Sequence, residues 1–453
     1  MPSAATIPIQ PEEVCLHGLQ TGYALSMTRL PDPAAQAREA LEDGAPVVML
    51  LGRAGTGKSH FIRELIKDAD RPQVILAPTG LAAMNIGGQT VHSFFGLPPR
   101  PLVGFNEKPN WFFTKAARGA SRIIVDEISM LRADVLDAMD SHLRAAKRSS
   151  RPFGGVQMLL VGDFHQLPPV VRGAEAEILA EAGYNSPFAF SAHVLRDADV
   201  TLCELEEVRR QSDPYFIDLL ARLREDRDVE GAIEDLNERC VGAVLNQEPV
   251  LLAATNAVAD GYNRRGLEGL GGQTGVFNGA FKGDKAPKEA PPGDRLPAPA
   301  QLVLRRGARV IFTQNDPEGR WVNGSLGRVV DFDPDRITVK LDATGETHEV
   351  AKARWPQTRW VWNDAAKQLE PKEDYSYEQF PLAHAWALTI HKAQGMTLDA
   401  VEIDLGRGAF AAGQTYVALS RARSLEGLRL VRPLQPRDVQ IDPVIEEGLA
   451  RFR

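Results

Sequence analysis

The segment LGRAGTGKSHFI, Leu51 to Ile62, carries the spacing G-x-x-x-x-G-K-S. Glycines at positions 52, 55 and 57 let a backbone curl, through Thr56, until its N–H groups converge on an anion. Lys58 then places a positive charge on the β- and γ-phosphates, and the Ser59 hydroxyl is suited to Mg²⁺. A helix starting here would point its positive end at the same group. Further along, RIIVDEISML ends an apolar run on Asp126 and Glu127. A carboxylate near bound phosphates holds Mg²⁺, which suits Asp126. A second one orients and deprotonates water, which suits Glu127. In LLVGDFHQLPPV, Gln166 stands just past another apolar run, placed to sense a γ-phosphate and touch a neighbouring domain. The chemistry implied is hydrolysis of a nucleoside triphosphate.

These residues need strands and helices to hold them. Short Val/Ile/Leu runs occur at 47–52, 74–80, 122–127, 158–163, 250–256, 400–405 and 428–434. Continuous apolar runs of this length suit strands buried on both faces of a parallel sheet. Helical patterns such as HFIRELIKDA (60–69) and PYFIDLLARLRE (214–225) lie between them. Alternation of the two predicts an α/β layered fold. The runs before about residue 250 form one set and the later runs a second. FKGDKAPKEAPPGDRLPAPAQ (281–301) has the composition of a linker. After it, Val329–Phe332 and Ile337–Leu341 alternate as strands, with DPDR and DATGE as turns, which predicts a small antiparallel β module.

At 453 residues the chain is too long for one ordinary core. Hydrophobic residues make up 43% and charged residues 25%, with no apolar run of bilayer length, so no membrane partner is expected. The first residues lack the pattern of a secretory signal and are expected to form a leader. Cys15, Cys203 and Cys240 make neither a metal-ligand spacing nor a disulfide framework, consistent with a reducing cytoplasm. A net charge of −8 leaves room for a local basic channel, because nucleic-acid affinity follows local phosphate neutralisation.

Taken in order, the phosphate loop, VDEISM, GDFHQLPPV, EVRRQSD, LTIHKAQGMT and YVALSRA resemble the superfamily 1B DNA helicases of the PIF (petite integration frequency) type. APTGLAAMNIGGQTVHSFFGL (77–97) and RPFGGVQMLLVGDF (151–164) are similar to further motifs of that family. The resemblance implies two RecA-like domains with ATP and Mg²⁺ between them. It implies a leader at 1–30 and a first domain at 31–200, with a wedge insertion at about 97–116. A second domain would be built from 201–275 and 382–453, interrupted at 276–381 by the linker and an SH3-like β-barrel. Arg210 and Arg421 fall on its arginine-finger positions, with Arg209 and Arg423 as close neighbours. Gly395 falls where its motif approaches the phosphates, and Gln36 on its adenine-reading glutamine.

For the nucleic acid, the resemblance points to Thr79, Gly80, His92 and Phe94 in the first domain, and Thr389, His391 and Lys392 in the second. Small hydroxyl and backbone donors hold phosphates without reading bases, and aromatic rings stack on bases. Phe105 or Trp111 would split the duplex at the fork. The implied activity is ATP-dependent 5′→3′ unwinding of duplex or forked DNA by a monomer moving on single-stranded DNA, in a bacterial-type nucleoid. A RecD-like or RNA-directed relative would share this engine. A nucleotide-switched scaffold that binds DNA without unwinding is a third reading, opposed by Glu127 and the paired arginines.

Overall fold

The computed structural model describes residues 32–68, 72–105, 107–171, 173–287, 296–363, 366 and 368–453. The expected leader at 1–30 lies outside the described residues. A six-stranded parallel sheet forms the first lobe. Its strands are β1 (Val47–Gly52), β2 (Gln73–Ala77), β3 (Gln89–Thr90), β4 (Arg122–Val125), β5 (Gln157–Gly162) and β6 (Val200–Leu205), in the spatial order β3-β2-β4-β5-β1-β6. β1 lies between β5 and the edge strand β6 and is buried along its whole length. That burial on both faces explains why it reads as an unbroken apolar run. Helix α1 (Pro33–Glu42) packs Ala37 and Leu41 against this sheet, and α2 (Lys58–Lys67) follows β1 directly.

One boundary differs from expectation. β6 pairs with β1 from Val47↔Val200 to Gly52↔Leu205, so a division at residue 200 would split the first lobe from its edge strand. The run VTLCEL mixes polar and apolar residues because an edge strand is only partly covered, so it lacks the continuous apolar signature of an inner strand.

The second lobe is a four-stranded parallel sheet, ordered Ala387–Thr389, Val250–Ala253, Val401–Asp404, Leu428–Leu430. Its core takes in Phe216 and Leu219 of the helix Pro214–Arg224, and also Ala54 and Leu167, which belong to loops of the first lobe. The lobes therefore share packed surface as well as a cleft. The chain's last helix, Val444–Ala450, returns to the first lobe and buries Ile445 and Leu449 in that lobe's core.

Between the strands of the second lobe lies a five-stranded antiparallel sheet, with Leu326–Phe332 pairing Ile337–Leu341 as the sequence suggests. Strands Ala280–Lys282 and Gln301–Leu304 occupy the ends of the segment expected to be linker. A long antiparallel pair, Ala353–Asn363 with Gln368–Gln379, extends from this insertion. It reaches the helix Trp111–Gly119 of the first lobe. Trp360 packs on the first core, Arg359 lies 4.5 Å from the Phe112 ring, and Gly119 lies flat against the Trp362 indole. Among the described residues no helix is long and apolar enough to cross a membrane.

Candidate nucleotide site at the seam between the lobes

The phosphate loop joins β1 to α2. Gly55 and Gly57 have φ of 83° and 95°, a left-handed backbone that favours glycine. A Cβ at Gly55 would also stand 2.5 Å from Cβ of Arg210. Lys58 Nζ donates to the carbonyls of Gly52 (2.7 Å) and Arg53 (2.9 Å), folding back over its own loop. Burial lowers the Lys58 pKa, and Asp163, Glu127 and Asp126 oppose that shift. A desolvated ammonium held by backbone carbonyls is a cation ready for an incoming phosphate. The oxygen donors of Ser59 and Asp126 suit a hard divalent ion. The loop thus fits the nucleotide that its sequence implies.

Asp126 and Glu127 leave the C-terminal end of β4. Burial raises the Asp126 pKa, against the Glu127 N–H that donates to its Oδ1 at 2.9 Å. Glu127 holds a left-handed backbone, φ 53°, which turns its side chain into the cleft. Its pKa is pushed up to about 7, first by removal from water and then by Asp126. Such a value suits a group that must take a proton near neutral pH. Gln166 donates to Asp163 Oδ2 at 3.2 Å. Burial alone would raise Asp163, but Arg224, His165 and Lys58 hold it well below the usual carboxylate range. Arg224 Nη2 lies 3.1 Å from its Oδ1.

Two arginines link the loop side to the opposite wall: Arg210 stands beside the phosphate loop and reaches across, and Arg421 lies within that wall. Arg421 is 1% exposed. It donates to Val417 O (2.8 Å), Met396 O (3.3 Å) and Ser420 Oγ (2.7 Å). Burial and then Arg210 lower its pKa to about 9, while the charges of Glu127 and Asp163 act in the other direction. Arg210 donates to Ser420 O (3.4 Å) and Gly395 O (3.3 Å). Their neighbours face elsewhere: Arg209 pairs with Glu207 and Arg423 with Asp399, both largely exposed. The seam therefore brings together Lys58, Asp126, Glu127, Gln166, Arg210, Arg421 and the turn at Gly395. Gln36 lies half-buried on α1.

Several participants escaped the sequence reading. Gln394 donates to Glu127 Oε2 (3.1 Å) and to Gln166 Oε1 (3.3 Å). Tyr416 accepts from the Ala54 N–H of the phosphate loop at 3.0 Å, and burial pushes its pKa to about 12. Gln394, Tyr416 and Asp163 stood inside recognised motifs, but nothing in those motifs marked their side chains. Arg224 had no signal beyond its helix.

The candidate strand contacts divide. Thr79, Gly80, His92 and His391 are half-buried and Lys392 is exposed, at the ends of β2, β3 and the strand Ala387–Thr389. Burial lowers both histidine pKa values, so each ring is neutral near pH 7. Phe94 corrects an expectation. It is 5% exposed and packs its ring edge-on against Phe95 and Phe113, because the helix Val91–Phe95 turns that face to the core. Thr389 is likewise buried, and its hydroxyl accepts from the Lys392 N–H at 3.3 Å, shaping the turn from within. Phe105 packs beside His142 against the first core, whereas Trp111 is 65% exposed. Exposed Phe410 lies parallel to His391, with ring centroids 6.4 Å apart.

A phosphate loop, a strand-end Asp-Glu pair and two arginines, one in the segment that follows β6 and one just past the helix Gln414–Leu419 of the second lobe, define a nucleotide hydrolase whose site is shared by two lobes. Residues 35–227 match the family model of the PIF1-like helicases. The ATP-dependent DNA helicase Pif1 of Bdellovibrio bacteriovorus is 34% identical over 425 residues, covering 92% of this chain and 91% of that one. The crystal structure of Bacteroides sp Pif1 in complex with ADP-AlF4 superposes with a TM-score of 0.84 at 32% identity, covering 93% of this chain and 96% of that one. Bacteroides Pif1 bound to ssDNA gives 0.68 at 32% identity, covering 93% and 97%. This chain belongs to the PIF1-like helicase family.

Proposed function

We propose that this chain is an ATP-dependent DNA helicase that moves 5′→3′ on single-stranded DNA and separates duplex or forked DNA as a monomer. The observation that carries the reading is the convergence of Gln394, Arg210 and Arg421 on the cleft that holds Lys58 and Glu127. Bound ATP would lie along Gly52, Gly55, Thr56, Gly57 and Lys58, with Mg²⁺ on Ser59 and Asp126. The metal supplies charge neutralisation on the β- and γ-phosphates. Glu127 takes the proton from the attacking water. Arg210 and Arg421 stabilise charge on the γ-phosphate only while the lobes are closed, so hydrolysis changes the preferred separation of the lobes.

The helicases named above support DNA as the track. The half-buried first-lobe group Thr79, Gly80 and His92, and the second-lobe group His391 and Lys392, would grip its backbone in alternation. The first lobe, through β6, acts as one domain and the sheet containing Val250–Ala253 as the other. The five-stranded insertion serves as an SH3-like roof over the strand. The segment 97–116 serves as the wedge, with Trp111 the more exposed of its two adjacent exposed rings, Trp111 and Phe112.

The test is strand displacement on duplexes with a 5′ tail, a 3′ tail or none, with and without ATP, using Lys58→Ala as the nucleotide-dead control. Unwinding of the 5′-tailed duplex alone, only with ATP, is expected. Equal unwinding of the 3′-tailed duplex would remove the polarity, and displacement by Lys58→Ala would remove the ATP coupling.

A further inference from the structure

The turn His391–Met396 touches more of the cleft than any motif assignment gives it. Its backbone carbonyls at Gly395 and Met396 accept from Arg210 and Arg421. Its inward side chain is Gln394, whose Nε2 lies 3.1 Å from Glu127 Oε2 and 3.3 Å from Gln166 Oε1. An amide nitrogen carries two hydrogens, enough for both. The network fixes the amide orientations. Gln166 turns its own NH₂ to Asp163, which leaves its oxygen facing Gln394. Among the described residues, the Gln394 amide thus ties the Glu127 carboxylate to the Gln166 side chain across the cleft.

We propose that Gln394 is a positioning residue for hydrolysis: reaching from the second lobe, its amide sets the orientation of the Glu127 carboxylate toward the attacking water. The inference rests on the reading of the seam as an ATP-hydrolysing site. It adds a coupling. Gln394 lies two and three residues beyond Lys392 and His391, so a strand gripped there bears directly on the catalytic carboxylate of the other lobe. The alignment of Glu127 then depends on closure, as the arginines do, but through the general base and not through the phosphate.

Two substitutions in the full chain test this, with ATP as substrate and saturating oligothymidylate. Gln394→Met keeps length and volume but loses the donor. Gln394→Glu keeps the shape and faces Glu127 with a like charge. Loss of a hydrogen bond to a charged group is expected to lower kcat roughly 10- to 100-fold in Gln394→Met, with KM for ATP within about twofold of wild type. Gln394→Glu is expected to fall at least as far. A role in packing predicts the opposite order, because Glu is the closer match in shape. The proposal is overturned if Gln394→Glu keeps wild-type kcat, or if either variant loses activity through a raised KM. A wild-type chain whose turnover is unaffected by Glu127→Gln would overturn the hydrolytic seam itself, and this assignment with it.

Discussion

Glu127→Gln separates the cost of the catalytic carboxylate from its use. The native carboxyl is held at about 7 against an ordinary 4.5, because it sits largely out of water beside Asp126. A carboxyl with a raised folded-state pKa destabilises the protein wherever the unfolded chain would ionise it more readily. That penalty is absent below the unfolded value. It grows as pH rises through 4.5 toward 7 and is constant above. At pH 8 the shift corresponds to at most about 3 kcal/mol, and at pH 5 to about 1 kcal/mol. Glutamine carries no charge to desolvate or repel, and its carbonyl still accepts from Gln394, so the variant escapes the penalty without breaking the network.

The assay is thermal unfolding of the nucleotide-free protein in EDTA, so that no divalent ion neutralises the acidic pair. Glu127→Gln is expected to melt higher than wild type at pH 8, on the order of 5 °C for a lobe of this size, with most of the gain gone at pH 5. The same variant should bind ATP and fail to turn it over. A melting point at pH 8 no higher than wild type, or a gain independent of pH, would refute the claim that the cleft holds Glu127 in a strained charge state. Loss of ATP binding would instead make Glu127 part of the phosphate loop's structure.

Arg421→Ala should slow DNA-stimulated hydrolysis by about 10³ or more, the effect of removing an arginine finger, while leaving ATP affinity nearly unchanged. A loss of only a fewfold in steady-state turnover would transfer the role to Arg210. Gly119→Ala should lift the long hairpin from the first lobe, because the added Cβ falls within the Trp362 ring while the helix itself gains from alanine. Acrylamide quenching of tryptophan fluorescence should rise in the DNA-free variant, and unchanged quenching would show that the indole turns aside without moving the strand.

How much of this was legible in the sequence follows from the range of the interactions. The phosphate loop and the strand-end pair Asp126–Glu127 are each set by a few contiguous residues whose spacing is legible locally, whereas Gly395 was marked only by resemblance to the family's motif. Phe94 was not legible in this way. Its neighbours carry a motif, but which face of the helix Val91–Phe95 meets the core depends on Phe113, far along the chain. β6 was hidden because a partly covered edge lacks the continuous apolar run that marks a central strand. The return of the last helix rests on Ile445 and Leu449 in the first core and on Arg453 paired with Glu204 at 3.0 Å. Nothing local announces a partner that distant. Gln394 stands within a motif, yet its partners are Glu127 and Gln166 on the far wall, which no spacing rule connects to it.

The electrostatics of the cleft bear on how the proposed hydrolysis would be felt by the two lobes. Lys58, Arg210 and Arg421 all have pKa values lowered by burial, and the nearby acids only partly offset that. These cations are under-neutralised where they stand. On the proposed reading, a triphosphate would supply the missing negative charge to both walls at once and would favour the closed seam most strongly while the γ-phosphate is present. Cleavage and phosphate release would then return Arg210 and Arg421 to a desolvated site with less counter-charge, and the closed state would lose part of its advantage. In the proposed mechanism, the cost of burying these arginines is what would make lobe separation sensitive to the state of the nucleotide. A seam with exposed, fully hydrated arginines would bind ATP with far less mechanical consequence.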